Sequence, residues 1–396
     1  MALNRFNYSF IGLLLFHTTI LLFIANDFSI SYKESLNYFD TSSVLYYITH
    51  AFTYVLGNDN FTVRLPFILF YIGSSILFYL LTEDYFKYQW DRILALSIFM
   101  VLPGVNSSAL LINESIIVIF STLLFLYIYN KTGKENYPLL FLFLFIDNSF
   151  AILFLALFVY ALTQKDNKLL IVSLLLFGLS MSIYGFELGG RPRGYFFDTF
   201  GIYATIFSPI LVFYFFYSIY RVGIHFTKDI IWYITITALS LSFLFSLRQK
   251  IDITDFAPFV VIAVPIMVKL FMHSIRVKLK EFRKIQYSIA FLSLLVLGLN
   301  FLLFVFNKQL YLILDNPSKH FMYKYHNTQE LANKLKQLNI VKLSTNDKKL
   351  QQKLKFYEIS QGNDYYLTTK KIIDAYKIID INYGYKTISK FYIIQK

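Results

Sequence analysis

The chain is threaded by apolar runs long enough to cross a bilayer: Ser9 to Ala25, then stretches near 65–82, 92–108, 111–129, 137–146, 149–163, 168–186, 199–219, 229–247, 254–273 and 286–306. A hydrocarbon core of about 30 Å takes roughly 20 helical residues at about 1.5 Å each. With no water inside it, every backbone polar group must be bonded within its own segment. The pattern predicts an α-helical polytopic membrane protein of about eleven spans. Composition points the same way: 57% of the 396 residues are apolar and 15% charged, with a mean hydropathy of +0.53, against about 45–50% and about 25% in soluble domains. An ordinary soluble enzyme is excluded. There is no cysteine, which removes disulfide frameworks, thiolate metal sites and cysteine nucleophiles.

No cleavage pattern follows Ile24-Ala25-Asn26-Asp27, so the first run reads as an uncleaved span. The stretch 137–163 decides the sidedness of everything after it. A break at Asp147-Asn148 makes it two crossings and gathers Lys87, Arg92, Lys131, Lys165, Arg221, Lys228 and the cluster Arg276 to Lys284 on one face. A single long helix would put that cluster outside, against the positive-inside bias. The break is therefore the expected arrangement, with the N-terminus inside and the C-terminal tail outside.

The last ninety residues are a different kind of polypeptide, with 16 lysines against 7 acidic residues. Thr328 to Leu338 and Asp347 to Phe356 read as helices, and 340–343, 365–367, 376–381 and 390–394 as strands. This predicts a small extracytoplasmic α/β domain over 307–396, following a transmembrane domain over 1–306. The first outer loop, 26–64, is too long for a simple connection. Leu36, Phe39, Val44, Tyr47, Ile48, Ala51, Phe52 and Val55 recur at near-helical spacing around Asp40-Thr41-Ser42-Ser43, predicting two short interfacial helices.

Soluble signatures such as G-x-x-x-x-G-K-[ST], G-x-G-x-x-G, H-E-x-x-H and G-x-S-x-G are missing, so the sequence supports neither a nucleotide site nor a nucleic-acid partner. His320 and His326 alone approach metal-ligand spacing, and ordinary surface histidines are the expected reading. The chemistry is instead expected from ionisable residues at the outer ends of spans, where charge beside lipid is costly. Glu34, just after the first span, and Glu114, in Leu111-Ile112-Asn113-Glu114-Ser115, are the candidate catalytic carboxylates. Two such groups can deprotonate an acceptor or hold a divalent cation. The plainer alternatives are a salt bridge with Lys33 for Glu34 and a helix-dipole contact for Glu114. Arg64, Arg191, Arg193, Arg248, Lys250 and Lys33 are the basic groups on that face. Guanidinium pairs hold phosphate through parallel bonds, while span-end snorkelling is the competing reading.

These phrases together resemble the GT-C superfamily of membrane glycosyltransferases, in its protein O-mannosyltransferase and lipid A aminoarabinose transferase branch. The matching text is Ser31-Tyr32-Lys33-Glu34-Ser35 after the first span and Val55-Leu56-Gly57-Asn58-Asp59-Asn60-Phe61-Thr62-Val63-Arg64-Leu65-Pro66 opening the second. Glu114 falls at the family's second outer acid, and Ser208-Pro209 and the 248–265 stretch correspond in order. Two departures stand out. Lys33 occupies the position of the family's catalytic Asp, and the Lys-Pro-Pro phrase of the aminoarabinose branch is absent.

The resemblance implies transfer of a sugar from a polyprenyl-phosphate carrier to a glycan, lipid or protein acceptor on the outer face of a bacterial inner (plasma) membrane. Glu34 would act as base with Glu114 assisting, and Arg64 with an arginine from 191, 193 or 248 would neutralise the leaving phosphate. No resident cofactor follows from this, beyond the divalent cation that two carboxylates can hold. A degenerate, non-catalytic lipid-glycan binder and a lipid-linked-sugar flippase are the alternatives. Lys33 favours the first of these, and the absence of an internal repeat weighs against the second.

Overall fold

A computed structural model describes residues 5–185, 194–373 and 375–395. The chain is 68% helical. The first half runs through α1 (Arg5–Asp27), α2 (Tyr32–Phe39), α3 (Val44–Leu56), α4 (Leu65–Leu81), α5 (Gln89–Val101), α6 (Pro103–Leu110), α7 (Ser115–Thr132), α8 (Tyr137–Phe143), α9 (Phe150–Gln164) and α10 (Asn167–Tyr184). It continues through α11 (Phe196–Phe207), α12 (Leu211–His225), α13 (Ile230–Ser246), α14 (Ile253–Val261), α15 (Val264–Val277) and α16 (Lys280–Val305). The tail holds α17 (Leu310–Ile313), α18 (Thr328–Gln337), β1 (Lys342–Thr345), α19 (Lys348–Phe356), β2 (Ser360–Thr368), β3 (Lys377–Tyr383) and β4 (Lys386–Gln395).

Five described helices are long and apolar enough to cross a membrane: Asn7–Asp27, Ser115–Thr132, Asn167–Tyr184, Ile253–Val277 and Lys280–Val305. If each of two bent pairs, α5 with α6 and α11 with α12, counts as one span, the number is seven. Such helices suggest a membrane-embedded protein. Each apolar run of the sequence contains helix among the described residues, but eleven is not the number the helix lengths give, because α4, α9 and α13 stop at 17, 15 and 17 residues and α8 has 7. The break expected at 147–148 is present: α8 ends at Phe143, and α9 opens at Phe150 after the Asp147 carboxylate accepts the Ser149 N–H at 2.9 Å.

Two runs that read as straight spans are bent. The pair α5 and α6 turns by 56° and the pair α11 and α12 by 103°. Each bend lies where a proline follows, at Leu102-Pro103 and Ser208-Pro209, because a proline ring pushes the preceding residue out of the helical region. At the sharper bend Ser208 sits fully buried at φ +84°, ψ 152°, a conformation that side chains rarely adopt.

The described chain forms two compact units, one of Met1–Thr18, Phe67–Ala109 and Glu114–Phe301, the other of Thr19–Pro66, Leu110–Asn113 and Leu302–Lys396. The first is the helical body. Glycine makes room for a neighbouring ring there: a Cβ at Gly73 on α4 would stand 2.7 Å from the Phe120 ring of α7, which would have to shift to admit it. Arg276 at the end of α15 grips both oxygens of Asp91 on α5 at 2.7 Å and lies over the Tyr88 ring.

In the second unit the tail forms a four-stranded sheet of order β1-β2-β4-β3. The β1/β2 pair is parallel and the other two pairs are antiparallel. Helices α18 and α19 cover it, and Leu331, Leu335, Leu343, Leu354, Ile381 and Ile393 are sealed in the core. Each helix and strand expected in the tail is present, with β1 shifted two residues along from 340–343 and β2, β3 and β4 longer than their apolar cores suggested. The expected pair of helices in the first outer loop is α2 and α3, separated at 40–43. The tail does not pack alone. It shares one compact unit with that loop and with the turn 110–113, so a boundary at 306 divides the sequence but not this unit.

Candidate functional site

Helix α2 starts where its own sequence caps it. The Ser31 hydroxyl accepts the Glu34 N–H at 3.3 Å, and Glu34 Oε2 accepts the Ser31 N–H at 2.8 Å, a reciprocal capping box. This directs the Glu34 side chain back toward the start of its helix and into the interior, where the residue is 3% exposed. Its other oxygen, Oε1, accepts from Arg64 at 3.1 Å and from the Ile112 N–H at 3.2 Å. The carboxylate therefore has three donors and almost no access to solvent.

Arg64 is fully buried, the largest side chain so enclosed. Besides Glu34, its guanidinium donates to the carbonyls of Leu110 (2.9 Å), Asn60 (3.0 Å) and Ser29 (3.4 Å). A fixed fork of donors suits four acceptors in different directions, as a lysine could not. The pair thus ties together the segment after α1, the approach to α4 and the turn 110–113. Asn37 adds a bond from α2 to the Ile112 carbonyl at 2.9 Å.

The tail joins the same cluster. The Tyr357 hydroxyl donates to Asn60 Oδ1 at 2.8 Å and accepts the Ile30 N–H at 3.0 Å. The Ser29 N–H donates to the Tyr325 carbonyl at 2.7 Å, the Ser35 hydroxyl to the Gln352 carbonyl at 2.8 Å, and Asn58 to the Phe356 carbonyl at 3.0 Å. Burial, reinforced by the Glu34 carboxylate and partly opposed by Arg64, pushes the Tyr325 hydroxyl above its usual range. Burial does the same to Tyr357, with Arg64 again opposing. Both phenols stay neutral hydrogen-bonding groups. Asn60, Tyr325 and Tyr357 were not legible as site residues, since their partners lie hundreds of positions away. The capping box was: Ser31-Tyr32-Lys33-Glu34 carries the S-x-x-E pattern.

Of the residues singled out by sequence, the structure brings Glu34 and Arg64 together. Lys33, on the next position of α2, is exposed. Glu114 is the half-exposed N-cap of α7 and makes no capping bond with its side chain. Arg248 and Lys250 are exposed in the body, between α13 and α14. Arg191 and Arg193 lie outside the described residues. Among the described residues no group of three or more His, Asp or Glu is placed to hold a metal ion.

His320 and His326 are buried in the second unit, around Tyr311. The Tyr311 hydroxyl bonds His326 Nδ1 at 2.9 Å, its ring stacks on His320 at 4.2 Å, and His320 Nε2 bonds the Asn307 carbonyl at 2.9 Å. Burial, with lesser contributions from His320 and Lys308, pulls His326 down to about 3, and burial also lowers His320. These are packed, neutral rings rather than surface histidines.

No protein-family model and no curated protein sequence matches the chain.

Two outcomes follow from this geometry. Glu34→Gln leaves Arg64 buried without a counter-charge, and Arg64→Met does the converse, so each should cost about 3–5 kcal/mol. In thermal unfolding of the full chain in detergent, the Glu34→Gln/Arg64→Met double variant should lie close to the worse single. Strictly additive losses would mean the two side chains act separately. The second outcome concerns pH. A histidine whose folded pKa is depressed leaves the native state with fewer bound protons than the unfolded chain. Its stability contribution is therefore intact above 6.5 and declines progressively toward about 3. His326→Asn keeps an acceptor for Tyr311 but cannot titrate, so its melting temperature should fall less steeply with acidification than that of the parent. Parallel curves would exclude His326 as the acid-sensitive group.

Proposed function

We propose that this chain is a GT-C-like membrane glycosyltransferase that handles a polyprenyl-phosphate-linked sugar on the outer face of a bacterial inner membrane, with its C-terminal domain on that face and an acceptor that is a glycan, lipid or protein. The observation that carries this reading is the construction of the first loop. Helices α2 and α3, the Arg64-Leu65-Pro66 opening of α4, the turn before Glu114 and the tail domain are locked into one unit around Glu34 and Arg64. A loop that merely linked two spans would need none of this.

The same geometry reassigns the roles within that reading. A general base needs a free lone pair within reach of the acceptor, and Glu34 has its oxygens engaged by Arg64, Ile112 and Ser31. Glu34 and Arg64 are positioning residues. The half-exposed Glu114, at the start of α7, is the carboxylate we assign to activation of the acceptor. Lys33 on α2, and Arg248 and Lys250 in the helical body, are exposed cations, each of a kind able to pair with a phosphate. The eleven-span topology remains part of the proposal, with the shorter apolar helices crossing alongside the long ones.

A second reading, a non-catalytic binder of the lipid-linked glycan, is favoured by one specific feature: Lys33 stands beside a Glu34 that is unavailable as base. The two readings separate in a single assay of full-length protein in lipid nanodiscs with a polyprenyl-phosphate-linked sugar and added acceptor lipids and glycans. The transferase consumes the donor, and Glu114→Gln should lower the rate by about 100-fold or more while leaving donor binding intact. Donor retained without consumption identifies the binder. No binding by the folded protein removes both readings.

A further inference from the structure

The helical body contains a cavity of about 690 Å³ bounded by α5, α12, α15 and α16, within the range of about 300–1,000 Å³ usual for small-molecule sites. Its walls are apolar over most of their length, with Ile98, Leu211, Val268, Phe271, Ile289 and Leu294 among the residues that form them. Its polar members include Arg221 in the second half of α12, His273 and Ser274 in α15, Lys278 just after α15 and Gln286 in α16. Among the described residues no acidic side chain lines it.

The state of the basic groups nearby is informative. Arg276 is neutralised by both oxygens of Asp91, and Arg283 donates to the carbonyls of Lys278 and Arg276. Arg221 and Lys278 are exposed, and neither makes a salt bridge among the described residues. Gln286 donates to the Ser274 hydroxyl at 2.8 Å, while its own Oε1 is shut off from solvent with no donor. A greasy slot with two uncompensated cations on its lining and no acid matches an amphiphile whose head is an anion. A sugar brings no charge to Arg221 and Lys278, and a zwitterion brings a cation with its anion, so neither balances the two positive groups as a net anion does. Basic pockets between membrane helices bind anionic head groups by this physics.

We propose that this cavity binds an anionic phospholipid, with an acyl chain along the apolar wall and the phosphate at Arg221 and Lys278. None of Glu34, Arg64 and Glu114 is among its lining residues, and the inference does not rest on the transferase reading.

The test uses the full-length protein in mild non-ionic detergent. Native mass spectrometry follows titration with phosphatidylglycerol, with phosphatidylcholine of the same acyl chains, with polyprenyl phosphate and with inorganic phosphate. Phosphatidylglycerol should be retained about tenfold or more better than phosphatidylcholine, and Arg221→Gln/Lys278→Gln should abolish that preference while leaving phosphatidylcholine retention unchanged. Ala290→Trp, which fills the slot from α16, should lower retention of both lipids. Lys228→Gln, a basic residue outside the lining, should change neither. The proposal is overturned by equal retention of the two lipids or by a preference that survives filling the slot. An equal loss in the Lys228 variant would overturn it by showing general surface attraction. Tighter retention of polyprenyl phosphate would transfer the cavity to a different occupant. Should the double charge variant fail to fold, the lipid comparison in the parent and the Ala290 variant still decide the matter.

Discussion

A carboxylate and a guanidinium removed from water are each expensive, and together they are tolerated only when every lone pair and N–H finds a partner. Glu34 and Arg64 come close to that condition. The carboxylate takes three donors and the guanidinium serves four acceptors, drawn from the segment after α1, the approach to α4 and the turn before α7. Such a cluster does little for net stability compared with a well-packed apolar core. Its effect is on geometry, since any rearrangement of one segment strands a buried charge. The tail domain rests on the same framework through Asn60, Ser29 and Ile30, which are bonded by Tyr357 and Tyr325.

This arrangement bears on function because it separates holding from reacting. Glu34, the more obvious acid of the pair, is committed to architecture by its capping box and its ion pair. The proposed chemistry then falls to Glu114, a carboxylate that keeps partial exposure. Within the proposed reading, Lys33, which stands where the GT-C enzymes that the sequence resembles carry an Asp, lies at an exposed position on a helix whose buried neighbour holds the loop in shape. A protein that keeps the scaffold while altering the reactive position can keep its ligand whether or not it keeps its reaction. The experiment proposed above distinguishes these by following the donor itself.

Much of the architecture was legible because it is local. Apolar runs gave the helices of the body, the spacing from Leu36 to Val55 gave α2 and α3, and alternation in the tail gave β1 to β4. The two bends follow from Pro103 and Pro209, which the apolar runs pass straight through; a rule about the residue before proline was needed to see them. Span number was less legible, because α4, α9 and α13 are apolar yet shorter than a full crossing usually requires. What sequence spacing does not carry is the meeting of Arg64 with Glu34, thirty positions away, or of Tyr357 with Asn60, nearly three hundred away. A snorkelling arginine and a buried one look alike in a string of letters. The neutral packing of His320 and His326 around Tyr311 belongs to the same class, since it depends on which residues surround the rings.

The account turns on the claim that one buried ion pair unites the first loop, the 110–113 turn and the tail domain. Site-resolved hydrogen exchange on the full-length protein, comparing parent and Arg64→Met under native conditions, tests it most directly. The account predicts that protection at Ser31 and Ile112, whose amides bond Glu34, and at Ser29, whose amide bonds Tyr325, falls together in the variant, while the core of the tail sheet around Ile381 and Ile393 stays protected. Unchanged protection at Ser29, Ser31 and Ile112, or a loss that spreads equally to the sheet core around Ile381 and Ile393, would contradict it.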